Sequence, residues 1–428
     1  MSRLSEADTS TPAVVLKLDR NVFHHGGLGI IRSLGRLGVP VYGVHEDRLA
    51  PAASSRYLRG RWYWSSDERD PGGAAPGDPE RVRDGLIRLA DRIGRRAVLI
   101  PTDDAGAIFL AEHGEALRER YLFPAIRPEL PRRLADKHQM YAMCRERGIP
   151  APDSVLPTSP DEVAAFVDRV GLPVVAKLTQ PWQRHDSATP RGTTIVRSRA
   201  HLDTLTSRLD ARRDGGSGFG RLLLQEYVPG SGTDTDWFFH GYCDERSTCR
   251  PGFTGVKDRS YPAGAGLTTF GRAVDNPAIR EPIEKLLTDL SYRGIVDVDL
   301  RWDSRDGSYR VLDFNPRIGA QFRLFEDAQG LDVARAAYLD LTGQPVPDPA
   351  PVEGRRFLVE NYDALVALRY RDRGLDLRSW ARALREVDET AWFARDDLVP
   401  FGLMCLRMAW RAVERPVRRA TRPRRQPR

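Results

Sequence analysis

Two segments in the second half of the chain space acidic residues in a way that suits a divalent cation. In GIVDVDLRWD, at 294–303, the period-two alternation of a strand sets Asp297 and Asp299 on one face and Val296, Val298 and Leu300 on the other. In YRVLDFNPR, at 309–317, Asp313 and Asn315 share a face while Leu312 and Phe314 take the opposite one. The short SRDG turn at 304–307 lets the two strands pair as a hairpin, which would bring the carboxylates side by side. Like charges in such positions are unfavourable unless a cation sits between them. Magnesium takes hard oxygen ligands, typically one or two carboxylates with substrate phosphates completing the shell. Asp299, Asp313 and Asn315 are therefore the candidate metal ligands, with Mn2+ as an alternative ion; the competing reading is a solvated sheet face. Arg317, two residues beyond Asn315, falls on the same side and could reach a phosphoryl group.

Lysine is scarce: the chain keeps five, Lys17, Lys137, Lys177, Lys257 and Lys285, and uses Arg for the other positive charges. A position that stays Lys in this background is a candidate for a compact ammonium that meets phosphate oxygens as a point charge. The alternative for any one of them is chance survival on the surface. A third clue is LLLQEYVPG at 222–230, an apolar strand ending in Glu226-Tyr227-Val228 and broken by Pro229-Gly230. Such a hinge leaves backbone groups free for an adenine edge. Glu226 could accept from the adenine amino group, and Asp234 or Asp236 could accept from ribose hydroxyls.

Together these segments resemble the ATP-grasp superfamily, in particular its carboxylate-amine ligase branch. ADKHQMYAMCRERGIPAPDS at 135–154, LPVVAKL at 172–178, LQEYVPG at 224–230 and VLDFNPR at 311–317 stand in the expected order, and the resemblance spans residues 13–343. It implies ATP and Mg2+ as cofactors, with Lys137 and Lys177 on the nucleotide phosphates. Gln225, Glu226 and Val228 would then lie at the adenine, Asp234 at the ribose, and Asp299, Asp313 and Asn315 at the metals. Lys257 and Arg317 would stabilise the transferring phosphoryl group. The implied reaction phosphorylates a substrate carboxylate to an acyl phosphate, which an amine attacks to give an amide, ADP and phosphate. Small-molecule carboxylate and amine are the implied substrates. The alternative is a nucleotide-binding regulatory or scaffold protein that kept the fold without turnover. The lid segment 179–194 departs from the family in holding only Gly192 where other members have a glycine-rich flap.

The elements that must hold these residues read as α/β, with α+β grasp lobes. Residues 13–16 are a buried strand, 21–29 a turn, 28–37 a helix and 39–44 a second strand. Val82, Leu86, Leu89, Ala90 and Ile93 form one stripe of a helix ahead of a strand at 97–100. A single helix is expected over 133–147, stopped by Gly148 and Pro150. Further strands are expected at 173–178, 193–196, 221–226, 236–243, 252–257, 294–302 and 309–314, with helices at 200–210 and 277–290. The organisation expected is a loose 1–12, a Rossmann-like domain at 13–130 and an ATP-grasp small lobe with lid at 131–226. A large lobe with the metal site at 227–343, a helical C-terminal extension at 344–410 and an Arg-rich tail at 411–428 follow.

Charge limits the function classes. The net charge is +7, but residues 411–428 hold eight Arg and one Glu, leaving 58 basic and 58 acidic side chains elsewhere. A neutral body lacks the basic stripe that nucleic acid requires. Four scattered cysteines show no zinc or redox spacing and point to a reducing cytoplasm. No run is long and apolar enough for a membrane span. His24-His25 reads as a solvated loop pair, and Trp62-Tyr63-Trp64 as the packing of an edge strand. Leu398 to Trp410 reads as a helix docked on the body. The other reading is a surface helix that, with the basic tail, contacts anionic membrane at its periphery. A homodimer is expected on frequency alone.

Overall fold

The computed structural model describes residues 4–64, 78–183, 192–210, 221–230, 232, 234–262, 266–369 and 377–420. Half of the lid segment (184–191), residues 211–220 and the end of the tail (421–428) lie outside the described residues.

The N-terminal unit runs β1 (Ala13–Leu16), α1 (Gly26–Leu37), β2 (Val41–His45), β3 (Leu58–Tyr63), α2 (Pro79–Ile93), β4 (Ala97–Pro101), α3 (Asp104–His113) and β5 (Tyr121–Leu122). Its strands pair in parallel in the order β3-β2-β1-β4-β5. The apolar AVVL of β1 is wholly buried at the centre, as a strand covered on both faces requires. Trp62 and Tyr63 lie on the edge strand β3. One expectation is corrected here. The first turn of α1 begins at Gly26, inside the segment read as a turn, and glycine fits there because the loop after β14 comes close: a Cβ on Gly26 would lie 3.1 Å from Ala320 Cα, and one on Gly29 2.8 Å from Phe322 Cε1.

Next come α4 (Glu129–Ala135), α5 (Lys137–Glu146), β6 (Ser154–Val155), α6 (Pro160–Val170), β7 (Val174–Leu178), β8 (Thr193–Val196), α7 (Arg199–Asp210) and β9 (Leu222–Glu226). The single helix expected over 133–147 is two. Asp136 leaves helical geometry at φ −70°, ψ 117° and its side chain accepts from the Gln139 amide, so it ends α4 and caps α5. A four-stranded antiparallel sheet, β6-β9-β7-β8, packs one face on α6 and α7 through Phe166, Val167, Leu202 and Leu205.

The rest builds around a seven-stranded sheet. Its elements are β10 (Asp236–Cys243), β11 (Cys249–Tyr261), β12 (Leu267–Ala273), α8 (Pro277–Asp289), β13 (Gly294–Asp303), β14 (Ser308–Asn315), α9 (Val333–Leu341), β15 (Arg356–Leu358), α10 (Glu360–Arg369), α11 (Leu377–Leu384), β16 (Glu389–Thr390) and α12 (Val399–Ala420). The order is β14-β13-β10-β11-β12-β15-β16. One face forms a core in which Val296, Val298, Phe239 and Phe314 meet Ile279, Ile283 and Leu287 of α8. Strand β12 was not read from the sequence, and β11 is longer than the 252–257 expected.

The C-terminal extension also differs from expectation. It is not only helical: β15 pairs with β12 and β16 with β15, and Trp392 is fully buried in the core that joins the N-terminal unit to this sheet. Arg32 of α1 clamps it, bonding the Asp397 carboxylate at 3.0 Å and the Trp392 carbonyl at 2.7 Å. Helix α12 continues to Ala420, into the segment read as tail. Among the described residues no helix is long and apolar enough to cross a membrane.

Candidate functional site

The second face of the seven-stranded sheet is polar, and strand register explains how. Across β13 and β14, Asp297 faces Asn315 and Asp299 faces Asp313. Across β13 and β10, Asp297 faces His240 and Arg301 faces Asp236. Because side chains alternate along every strand, these residues share one surface while Val296, Val298 and Phe314 serve the core behind it. The small sheet stands opposite with Val175 and Lys177 of β7 and Gln225 of β9. Between the sheets lies a cleft of about 490 Å³ whose walls include Lys177, Gln225, Glu226, Val228, Lys257, Asp299, Asp313, Asn315 and Arg317.

Asp299 and Asp313, the carboxylates expected to hold a metal, thus face each other. Lys257 Nζ stands 2.7 Å from Asp299, and Lys137 Nζ contacts Asp313. Burial, reinforced by Asp297 and Asp313, raises the Asp299 carboxyl above its ordinary range in spite of Lys257. Burial works the same way on Asp313, but Lys137 and Lys177 outweigh it and hold that carboxyl low. Two buried carboxylates with an amide beside them, one of them reluctant to ionise, have the donor chemistry of a hard divalent cation. Among the described residues no cluster of three or more His, Cys, Asp or Glu side chains could hold a metal by itself. A cation here would draw part of its shell from substrate oxygens.

The lysines sit deep. Lys177 donates to the Leu312 carbonyl at 2.6 Å and to the Tyr141 hydroxyl at 2.9 Å, and burial pushes its ammonium down to about 8. At the less buried Lys257, Asp299, Asp236 and Asp297 outweigh burial and raise the ammonium. Lys137 is 4% exposed and does not line the cleft; it reaches the site through Asp313. Arg317 is bracketed, with Nε 3.3 Å from Asp104 at the start of α3 and Nη1 3.2 Å from Asp297. It therefore ties the N-terminal unit to the polar face.

At the hinge, Glu226 accepts from the Asp153 amide at 3.2 Å and pairs with Arg305 at 2.6 Å, while the Val228 carbonyl accepts from Arg301 at 3.1 Å. Gln225 is 1% exposed and lines the cleft. Asp234 is not brought to the cleft. It holds a left-handed φ of 61° outside the lining and pairs with Arg272. Asp236, two residues on, lines the cleft and is held by Arg301 at 2.7 and 2.9 Å.

Several residues at the site carried no role in the sequence reading. His240, fully buried, places Nε2 3.0 Å from Asp297. Asp297 in turn receives Asn315 Nδ2 at 3.2 Å, and His240, Arg317 and Lys257 keep it ionised despite burial. Alternation had put Asp297 on the correct face; its partners lie on other strands and left no local signal. The His24-His25 pair, expected to be solvated, instead lines the cleft, and His25 is 6% exposed.

No known family profile matches the chain. It is 24% identical over 340 residues to D-aspartate ligase of Enterococcus faecium, an alignment covering 75% of this chain and 74% of that one. Among solved structures it resembles the ADP complex of N5-carboxyaminoimidazole ribonucleotide synthetase, at 13% identity over 87% of each chain with a TM-score of 0.59. It also resembles the biotin carboxylase domain of Hydrogenobacter thermophilus 2-oxoglutarate carboxylase, with MgADP and bicarbonate bound, at 16% identity over 81% of this chain and 74% of that one with a TM-score of 0.56. Likeness at this level of identity establishes the fold.

Proposed function

The chain has the ATP-grasp fold, and on that premise we propose that it is an ATP-dependent ligase. It would activate a substrate carboxylate as an acyl phosphate and join it to an amine, releasing ADP and phosphate. The observation that carries this reading is the pairing of Asp299 with Asp313 across β13 and β14, facing Lys177 of the small sheet over one cleft.

In this reading the hinge at Gln225, Glu226 and Val228 receives adenine, and Asp236 takes the ribose role first expected of Asp234. The small lobe at 131–226 serves as lid over the large lobe at 227–343. Lys177 meets phosphate oxygens from above, and Lys137 leaves Asp313 to join it when nucleotide enters. Asp299, Asp313 and Asn315 would hold magnesium, which supplies neutralisation of the phosphate charge when bound. Lys257 and Arg317 face the transferring group from the sheet and absorb charge as it spreads over the phosphoryl oxygens. Closure of the small lobe over the cleft would keep water from the acyl phosphate until the amine attacks. The tetrahedral intermediate then expels phosphate.

The alternative of a nucleotide-binding protein without turnover is disfavoured by the complete polar set around one cleft: Lys177, Lys257, Asp299, Asp313, Asn315 and Arg317 all line it. Because a relative is a D-aspartate ligase, acidic amino acids are the first carboxylates to offer. The test is ADP and AMP release from Mg-ATP with pooled amino acids and small carboxylates, beside an Asp313→Ala blank. ADP that appears with one pool and is absent from the blank supports the ligase. AMP instead of ADP overturns the acyl phosphate.

A further inference from the structure

Helix α12 is held to the body by one side. Met404 is 2% exposed and belongs to the core shared with the N-terminal unit, with Phe401 and Met408 packed against it. Arg407 grips the Asp47 carboxylate with both Nη atoms, at 2.9 and 3.0 Å. The Arg411 guanidinium lies 4.8 Å from the centre of the Phe23 ring. Residues 404, 407, 408 and 411 follow helical spacing, so these contacts come from one face and fix how the helix is turned about its axis.

The face turned away from the body is apolar. Val399, Gly402, Leu406, Ala409 and Trp410 recur at i, i+3, i+7, i+10 and i+11, a single stripe opposite Met404. Leu406 is 68% and Trp410 67% exposed, and every exposed residue from Leu398 to Trp410 is uncharged. Phe393, also exposed, extends the surface at the start of the helix through its edge-on contact with Phe401, 5.6 Å between ring centroids. Single exposed apolar side chains are ordinary, whereas a stripe sustained along about three turns of one helix marks an interaction face.

The chain that continues from this stripe defines the partner. Residues 411–428 hold eight Arg and one Glu, while the rest of the chain balances 58 basic against 58 acidic side chains. An apolar stripe that runs into such a cationic segment suits a surface offering both hydrocarbon and negative charge, as an anionic lipid leaflet does. A second copy would cover the stripe but bring two Arg segments together with no acidic counterpart on a neutral body. Nucleic acid would answer the Arg but not the aliphatic side chains. Trp410 stands where the stripe meets the Arg segment, which suits an indole ring at headgroup level. Among the described residues no helix is long and apolar enough to cross a membrane, so α12 would lie on the leaflet.

We propose that the outer face of α12 docks the protein on an anionic lipid surface, with Leu406 and Trp410 at the acyl boundary and the Arg segment among the headgroups. The inference is independent of the ligase reading, because no residue of the stripe lines the cleft. The two regions are nevertheless neighbours. Phe23, beneath Arg411, is part of the cleft wall, so docking brings that end of the cleft near the leaflet.

The test is flotation of the full chain with vesicles of phosphatidylcholine alone and of phosphatidylcholine with about one third phosphatidylglycerol. Beside it runs a variant carrying Leu406→Ser and Trp410→Ser, which changes two exposed positions, keeps every charge and has its fold checked by Tm. The expected result is that the protein floats with the anionic vesicles and not with the neutral ones, that high salt weakens the binding, and that the double variant partitions at least ~tenfold less. Equal flotation of the variant overturns the proposal, because the Arg segment then adsorbs alone. Failure to float, or equal flotation with neutral vesicles, overturns it as well. Light scattering covers the remaining occupant: a lipid-free dimer that the double variant splits, with no flotation, assigns the stripe to a second copy and sinks the lipid surface.

Discussion

The two faces of the β13–β14 hairpin are made by alternate residues of the same strands, yet they answer to opposite requirements. Val296, Val298 and Phe314 pack against α8 in a closed core, where each apolar side chain lowers the free energy of folding. Asp297, Asp299, Asp313 and Asn315 crowd acids on the other side, where burial, with Asp297 and Asp313 adding to it, raises the Asp299 carboxyl. The core face is shaped to fold the chain, whereas the polar face is tolerated by it. Strain of this kind persists where surrounding structure over-determines it, and that is characteristic of functional sites.

The comparison breaks most sharply on the core side. Phe314→Ala is expected to destabilise the protein by about 3–5 kcal/mol, read from denaturant unfolding, because it opens a cavity at a fully buried position. Equal loss of stability from Asp299→Asn would erase the distinction drawn here. That variant is expected to lower ligase turnover at least ~10²-fold, read as ADP release, and to cost less stability than Phe314→Ala, since it removes a carboxylate that burial disfavours while Asp236 and Asp297 still face Lys257.

Lys177 sharpens the comparison through pH. Its folded pKa, lowered by burial to about 8 from 10.5, means that the unfolded chain binds more protons between those values, so its contribution makes stability rise with pH across that window. Phosphate binding needs the protonated ammonium, so Mg-ADP affinity should fall as pH rises above 8, approaching tenfold per unit. Calorimetry from pH 7 to pH 9 reads this, and Lys177→Met should flatten the profile. The smallest effect concerns the two hinge-side acids. Asp236→Asn should weaken Mg-ADP binding about tenfold. Asp234→Ala, which removes a partly exposed pair with Arg272, should leave that affinity unchanged and cost less than about 1 kcal/mol of stability.

Much of the polar face was legible because strand alternation is a local rule: Asp299, Asp313 and Asn315 could be set on one side from period two and a four-residue turn. The Lys177 strand and the 222–230 hinge were legible for the same reason. The split between Asp234 and Asp236 was not, because it depends on a left-handed residue at 234 and on Arg301 from a neighbouring strand. Nor was the engagement of Lys137 with Asp313, across 176 residues of chain.

The sequence by itself determined the strand-helix alternation of the N-terminal unit, the β13–β14 hairpin and the identity of the charges, all of which follow from spacing along a few consecutive residues. Only the tertiary structure decided that β15 and β16 would complete the large sheet, that Asp104 would bracket Arg317, and that His25 would be buried beside the cleft. Those outcomes are pairings between distant segments. Their energies depend on which surfaces are removed from water together, a property of the assembled chain that no single stretch of residues carries.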